Sequence, residues 1–238
     1  MTNTRTATTQ KANRYLGALA ALVVMAITLA LAAVMAMGVS ADNAEAATAV
    51  TKSFDNPTEI RIPGAAVVDN CSAGPTQGTS FPYGNHISVS SFSRGSRIQD
   101  VNLTLKGFTH TFPDDVDMVL VHTKGTSTRN RTIMSDVGGS IDVNGANITL
   151  DDEARFNNFM PNDGPLVTDR YFPTNVNQAF DDNFPAPAPD NTTRNADAKL
   201  SGFDGQKANG SWDLYMRDDA GGDCGKIAGD FSLQIQAS

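Results

Sequence analysis

Cysteine, histidine and aromatic residues are scarce in this chain of 238 residues. It has two cysteines, three histidines and one tryptophan, and aromatic residues make up 7% of the composition. Two cysteines form at most one disulfide, so the fold does not depend on the dense disulfide framework of small secreted domains. The histidines His86, His110 and His122 lack metal-ligand spacing, which argues against a histidine-based zinc site.

Positive charge is also low. The chain has 18 Lys and Arg against 26 Asp and Glu, a formal net charge of −8. Nucleic acids and anionic membrane surfaces are bound through Lys and Arg that neutralise phosphates, so this composition argues against both as partners. Acidity of this kind suits solubility or divalent cations.

No catalytic pattern is evident, so the sequence predicts a protein that is not an enzyme. Gly78-Thr79-Ser80 and Gly125-Thr126-Ser127 each place a serine after Gly-Thr. A serine nucleophile needs a positioned histidine and a supporting acid, and the three histidines lie on or beside predicted strands. A cysteine nucleophile needs a base such as histidine beside it in the folded protein. Neither cysteine has a histidine near it in the sequence.

A long apolar run occurs near the N-terminus, from Tyr15 to Val39, after the basic residues Arg5, Lys11 and Arg14. Ala44-Glu45-Ala46 supplies an A-x-A pattern for cleavage before Ala47, which makes residues 1–46 a signal peptide. The run is also long enough to span a bilayer, so an uncleaved N-terminal membrane anchor is the alternative. Both alternatives place the rest of the chain outside the cytoplasm, secreted or at the cell surface.

The exported part contains both cysteines. About 190 residues remain after position 46, a usual size for one domain. In an oxidising compartment an isolated pair is usually a disulfide, so Cys71 and Cys224 are predicted to be bonded. Two free buried thiols are the alternative.

Alternating apolar residues predict β-strands over most of the exported part. The pattern occurs at 87–90, 101–105, 212–216 and 231–235, and a continuous apolar run at 118–121 indicates a strand buried on both faces. Residues 47–83 lack a strong period and are predicted to be a linker and lead-in. Residues 157–199 hold six prolines, so they are not a central strand, and form either a functional loop or a solvated cover over a sheet face.

Two acidic loops stand out against this pattern. An antiparallel jelly-roll β-sandwich of about eight strands pairs strand B with I and strand C with H. We assign B to 98–105, C to 117–122, H to 212–216 and I to 228–236, which places the B–C and H–I loops at one end. The carboxylates predicted to converge there are Asp114, Asp115, Asp117, Asp218, Asp219 and Asp223.

Such a cluster predicts a calcium site. Carboxylates held close together repel, and a hard cation relieves the repulsion. Calcium takes six to eight oxygen ligands and tolerates irregular loops. The alternative is a pair of solvated turns whose aspartates bond local backbone amides. A second acidic stretch, 142–153, resembles an EF-hand loop only superficially, because Asn147 occupies the glycine position; a hairpin with an Asn144-Gly145 turn is favoured.

The segments GFTHTFPDDVDMVLVHTKGT, from residue 107, and LSGFDGQKANGSWDLYMRDDAGGDCGKIAGDFSLQI, from residue 200, resemble the P domain of proprotein convertases. The resemblance covers residues 84–238. Two positions depart from the family pattern: the turn at 122–126 lacks its proline, and the last strand lacks its usual tryptophan near Asp230-Phe231.

The resemblance implies a jelly-roll β-sandwich at 84–238, calcium at the six aspartates, and an association with subtilisin-like peptidases. The subtilisin-like catalytic domain is absent from this sequence, so the peptidase activity is not carried over. The expected function is that of an exported, non-catalytic module that binds an extracellular protein or surface ligand. The alternative is an accessory domain that stabilises a separately encoded subtilisin-like peptidase.

Overall fold

Strands with alternating apolar residues build two packed β-sheets. The computed structural model describes residues 48–64, 77–176, 183–189 and 198–238. The first sheet contains β1 (Val50–Asn56), β2 (Ile60–Ile62), β5 (Ile98–His110), β8 (Val143–Leu150), β9 (Asp169–Tyr171), β12 (Gly225–Ile227) and β13 (Phe231–Ala237). The second contains β3 (Gly78–Thr79), β4 (Asn85–Val89), β6 (Val116–Lys124), β7 (Ser127–Ser135), β10 (Thr174–Asn175) and β11 (Gly210–Asp218).

The long strand β5 organises the first sheet. One edge of β5 pairs with β13 and then β12, and its other edge pairs with β8. Outside these, β1 extends the sheet beyond β13, and β9 lies parallel to β8. In the second sheet β6 lies between β7 and β11, and β10 runs parallel to β7. Two short 3-10 helices, Pro113–Asp115 and Leu200–Phe203, lie in the connections.

The fold is an all-β sandwich, as the sequence predicts. The predicted B–I pairing is that of β5 with β13, and the predicted C–H pairing is that of β6 with β11. The sheets differ from the expected purely antiparallel set of about eight strands. They hold thirteen strands among the described residues, and two of the pairings are parallel.

Strand β6 is buried on both faces, as its continuous apolar run predicts. Met118 and Leu120 join the main core between the sheets, with Leu103, Leu105 and Trp212. Val119 and Val121 point to the other face of the sheet and form a second cluster with Tyr215, Phe184 and Ala188. Residues 183–189 therefore cover the outer face of the second sheet. A cover over a sheet face is one of the two alternatives predicted for the proline-rich segment 157–199.

The lead-in segment belongs to the sandwich. Strand β1 pairs with β13 over seven residues, from Val50 opposite Ala237 to Asn56 opposite Phe231. Strand β2 pairs with β12. These pairings place the start of the sandwich at or before Val50 rather than at residue 84.

The prediction of a hairpin turn at Asn144-Gly145 is wrong. Both residues lie inside β8, where Gly145 has a φ of 69°. The register of β8 against β5 shifts on this stretch, between the Phe108–Ala146 and His110–Val143 pairs. A glycine in the left-handed region supplies an irregularity within a strand as readily as a turn, and here it makes a bulge.

Some predictions fall outside the described residues. They are the export segment 1–46 and Cys71. Among the residues that the structure does describe, no helix has the length and apolar character needed to cross a bilayer.

Candidate functional site

The two predicted acidic loops meet at one end of the sandwich. The loop after β5 ends in the 3-10 helix Pro113–Asp115, and the other loop joins β11 to β12. They are in direct contact, because the backbone N–H of Asp219 donates to the carbonyl oxygen of Asp115 over 2.9 Å. We call residues 111–115 and 218–224 the acidic end.

Thr111 joins the two loops further. Its backbone N–H donates to the carbonyl oxygen of Cys224, and its hydroxyl accepts from the N–H of Cys224; both donor–acceptor distances are 3.2 Å. The Thr111 hydroxyl also lies 3.2 Å from Oδ1 of Asp223, to which it donates. These contacts fix the position of Asp223 relative to the first loop.

A buried histidine and a buried aspartate lie beneath the acidic end. The side chains of His110 and Asp218 are both 0% exposed, and His110 Nε2 lies 3.5 Å from Asp218 Oδ2. Nδ1 of His110 contacts the backbone of Phe112, and Oδ1 of Asp218 accepts from the N–H of Ala220. The pair therefore connects the end of β5 to the end of β11.

Negative charge accumulates around Asp115. Burial, followed by the charges of Asp218, Asp219 and Asp223, raises the pKa of Asp115 to about 6, and His110 opposes this rise. The pKa of Asp219 is also raised, mainly by burial, with added effects from the charges of Asp136 and Asp218, and Arg217 opposes this rise. Four of the six predicted carboxylates thus form one electrostatic group.

Asp114 is affected by a further carboxylate at the acidic end, that of Asp136, which the sequence does not predict. Burial and the charge of Asp136 raise the pKa of Asp114, with smaller effects from Asp163 and Asp219. Asp136 follows directly after β7 and has a φ of 53°, and its carboxylate accepts from the Ser135 hydroxyl over 2.9 Å. Because β7 runs antiparallel to β6, its last residue lies at the start of β6, and this places Asp136 at the acidic end. Assigning β7 from the sequence would have found it.

Asp117 does not join the cluster, which corrects the predicted convergence of six carboxylates. It lies on β6 directly opposite Arg217 of β11. Alternate residues of a strand point to the same face of a sheet, so Asp117 points to the same face as Val119 and Val121. Those two valines belong to the outer cluster. Asp117 and Asp218 therefore point to opposite faces of the second sheet.

The acidic end does not form a finished ligand set for a metal. In the described part of the chain, no three His, Cys, Asp or Glu side chains are placed to hold a metal ion. The oxygens that fit calcium are nevertheless the ones present, because carboxylates and backbone carbonyls are the donors it prefers. Asp115, Asp219 and Asp223 would have to rotate toward a common point to close around an ion.

Cys224 lies at the edge of this site and is 1% exposed. Its backbone is held by Thr111, as described above. The proposed bond to Cys71 stays a prediction, because Cys71 lies outside the described residues.

A histidine, a serine and an aspartate also meet on the outer face of the second sheet. His86 Nδ1 lies 2.9 Å from Asp213 Oδ1 and 3.2 Å from the Ser211 hydroxyl, which itself donates to Asp213. A catalytic triad places the acid on one ring nitrogen and the serine on the other. Here both contact Nδ1, so this group lacks the geometry of a nucleophile activated by a base.

The raised pKa of Asp115 predicts a pH-dependent stability in a metal-free buffer. An unfolded aspartate titrates near pH 4, so between about pH 4 and pH 6 the folded state holds a proton that the unfolded state releases. Asp115 therefore stabilises the fold at low pH, and this contribution is lost as the pH rises through 6. We expect Asp115→Asn to lose less stability than wild type between pH 4 and 7, measured by urea unfolding with EDTA.

Glu153, whose pKa is raised to about 7 mainly by burial, is present in both proteins and cancels from the comparison. Superimposable stability profiles for the two proteins would contradict the convergence of charge on Asp115.

No protein-family model, curated protein or solved structure matches this chain. The resemblance to the P domain of proprotein convertases therefore stays a prediction from the quoted segments.

Proposed function

We propose that this chain is an exported, non-catalytic binding module whose acidic end takes a calcium ion. The observation that supports this most is the contact of Asp219 N–H with the Asp115 carbonyl, which holds two acidic loops together. Folding concentrates four carboxylates there, and the positive charge of Arg217 offsets only part of their repulsion at Asp219. A divalent cation offsets that repulsion.

Calcium suits the site better than zinc. Zinc prefers histidine and cysteine ligands in a tetrahedral set, and His110 is fully buried against Asp218. Calcium accepts carboxylates, carbonyls and water in irregular arrangements. Asp115, Asp219 and Asp223 are the proposed ligands, and Asp218 acts through its charge from beneath.

Calcium would give the module a defined surface. Each of the two loops crosses from one sheet to the other, since β5 and β12 belong to the first sheet and β6 and β11 to the second. An ion between them adds a link across the end of the sandwich and orders the loops as a platform. We propose that an extracellular protein or surface ligand binds on this platform.

Thermal and urea unfolding with EDTA and then with calcium test the proposal. Calcium at 100 times its dissociation constant should add about 2.7 kcal/mol to the free energy of unfolding. We expect the double variant Asp115→Asn/Asp219→Asn to lose that increment. A matched control, Asp55→Asn/Asp142→Asn, removes two exposed carboxylates elsewhere and should retain it.

The variant Asp117→Asn tests whether Asp117 is a calcium ligand, as the sequence predicts, or lies away from the site, as the structure indicates. Since Asp117 lies on the other face of the sheet, this variant should keep the calcium increment even if its own stability changes. Loss of the increment in Asp117→Asn, or an equal increment in all variants, would argue against the site at the acidic end.

A further inference from the structure

The other end of the sandwich carries a basic cavity. Strands β5, β6 and β11 run from the acidic end to this opposite end, where β6 turns into β7. The cavity there has a volume of about 360 Å³ and is lined by side chains from four stretches of chain. Its lining residues are Arg97, His122, Lys124, Ser127, Arg129, Asp204, Gly205, Gln206 and Lys207.

A second cavity of about 650 Å³ adjoins the first, and the two share Lys124 and Lys207. Its wall adds Arg94 and the serines Ser93 and Ser96. The side-chain amide of Asn209 holds this wall in place, because it pairs with both the N–H and the carbonyl of Phe92. Together the cavities form one groove with five cationic side chains, which we call the basic groove.

The cationic side chains of the basic groove form no ion pairs with other described residues. These side chains are those of Arg94, Arg97, Lys124, Arg129 and Lys207, and all five residues are exposed. Five of the other described cations each lie within 4 Å of a carboxylate, namely Arg61, Lys106, Arg155, Arg170 and Lys226. On a chain of net charge −8, unpaired cations gathered in a concave surface indicate a site for an anion.

The backbone places like charges side by side in the groove. Arg97 and Lys207 face each other in an antiparallel bridge. Like charges directly opposite each other on paired strands are destabilising. Arg97 is further held by a hydrogen bond from Nη1 to the carbonyl oxygen of Gly205 over 3.0 Å. The bridge therefore holds two cationic residues next to each other at the groove, where one anion can contact both.

One carboxylate, that of Asp204, also lines the groove. Burial raises the pKa of Asp204, with added effects from the charges of Asp100 and Asp152. Five cationic side chains against one carboxylate leave the lining of the groove predominantly positive.

We propose that the basic groove binds a small anionic saccharide, one or two sugar rings that carry sulfate or phosphate esters. The cations take the esters, and the hydroxyls of Ser93, Ser96 and Ser127 with the Gly205 carbonyl suit sugar hydroxyls. The groove's volume is of the size that small-molecule ligands fill.

Nucleic acid fits the same groove poorly. Single-stranded nucleic acids stack their bases on exposed aromatic rings. The aromatic residue at the groove, Phe92, is 7% exposed, and the Lys52 ammonium lies 5.2 Å from its ring centroid. Trp212 is fully buried behind His122, at 4.3 Å between ring centroids. An anion bound by charge and hydrogen bonds is therefore favoured over a stacked base.

Trp212 provides a probe for the experiment, because it is the single tryptophan and its ring contacts that of His122, a residue of the groove. We would titrate the full chain with sucrose octasulfate and follow Trp212 fluorescence, with isothermal calorimetry as a second readout. Sucrose and inorganic sulfate at matched ionic strength are the reference ligands. We expect saturable one-site binding of sucrose octasulfate, no binding of sucrose, and at least tenfold weaker binding of sulfate.

Variants assign the binding to the groove. Lys124→Gln/Lys207→Gln should weaken binding at least tenfold, whereas Arg155→Gln/Lys226→Gln, with the same charge change elsewhere, should not. Arg129→Gln is a further groove variant on an exposed strand position. Lys207→Gln should also raise the unfolding temperature of the ligand-free protein by removing the Arg97 repulsion. Absent binding, equal weakening in the control, or equal affinity for sulfate alone would overturn the proposal.

Discussion

Replacing His110 with alanine is expected to lower the free energy of unfolding by about 3–5 kcal/mol. His110 and Asp218 are both 0% exposed, with Nε2 and Oδ2 at 3.5 Å. Removing the imidazole leaves the Asp218 carboxylate buried beside Asp115 and without its neighbour. A buried charge that loses its partner cannot recover its hydration, so the cost is large.

His86 offers a matched control for this prediction. It makes a shorter contact, 2.9 Å, with Asp213, but its side chain is 53% exposed. Exposed pairs contribute about 0–1 kcal/mol, so His86→Ala should change the stability little. Urea unfolding of the two variants measures both effects. In addition, His110→Leu/Asp218→Leu should cost less than the sum of the two single changes, because no lone charge remains.

Equal costs for His86→Ala and His110→Ala would mean that burial does not decide the strength of these contacts. That result would contradict the low solvation beneath the loops that concentrates charge at Asp115.

Replacing Trp212 with alanine is expected to cost about 3–5 kcal/mol as well. Trp212 is fully buried on β11, edge-on to Phe203 at 5.0 Å between ring centroids and against His122, which lies directly opposite on β6. Truncation removes this apolar surface and leaves a cavity between the sheets. It also takes away the support for His122 at the base of the basic groove.

Phe156 provides the contrast, because it is a large aromatic residue that is 91% exposed. Phe156→Ala should change the free energy of unfolding by no more than about 0.5 kcal/mol. Denaturant unfolding of both variants gives the difference directly. A Trp212→Ala cost close to that of Phe156→Ala would show that the two sheets do not pack around Trp212 as described.

The long strands could be predicted from the sequence because their burial alternates or is continuous. Leu103 and Leu105 on β5, and the run at 118–121 on β6, carry that signal without help from distant residues. The short strands β9 and β10 carry none. They are three and two residues long, and pairing with strands far along the chain defines them.

The acidic end could be predicted only in part. Loop position follows from strand pairing, and in the structure the charges of Asp219 and Asp223 act on Asp115. Side-chain direction depends on where the 3-10 helix ends and β6 begins, and one residue of difference sends Asp117 to the opposite face. The basic groove gave no pattern at all, because single cations from distant loops meet only in the folded chain.

The most direct test of the account is calcium binding to the full chain by isothermal titration calorimetry in metal-free buffer. We predict one calcium per chain, retained in Asp117→Asn and lost in Asp115→Asn/Asp219→Asn. The absence of binding to the wild type, or undiminished binding to the Asp115→Asn/Asp219→Asn variant, would contradict a calcium site built by the two loops of the acidic end.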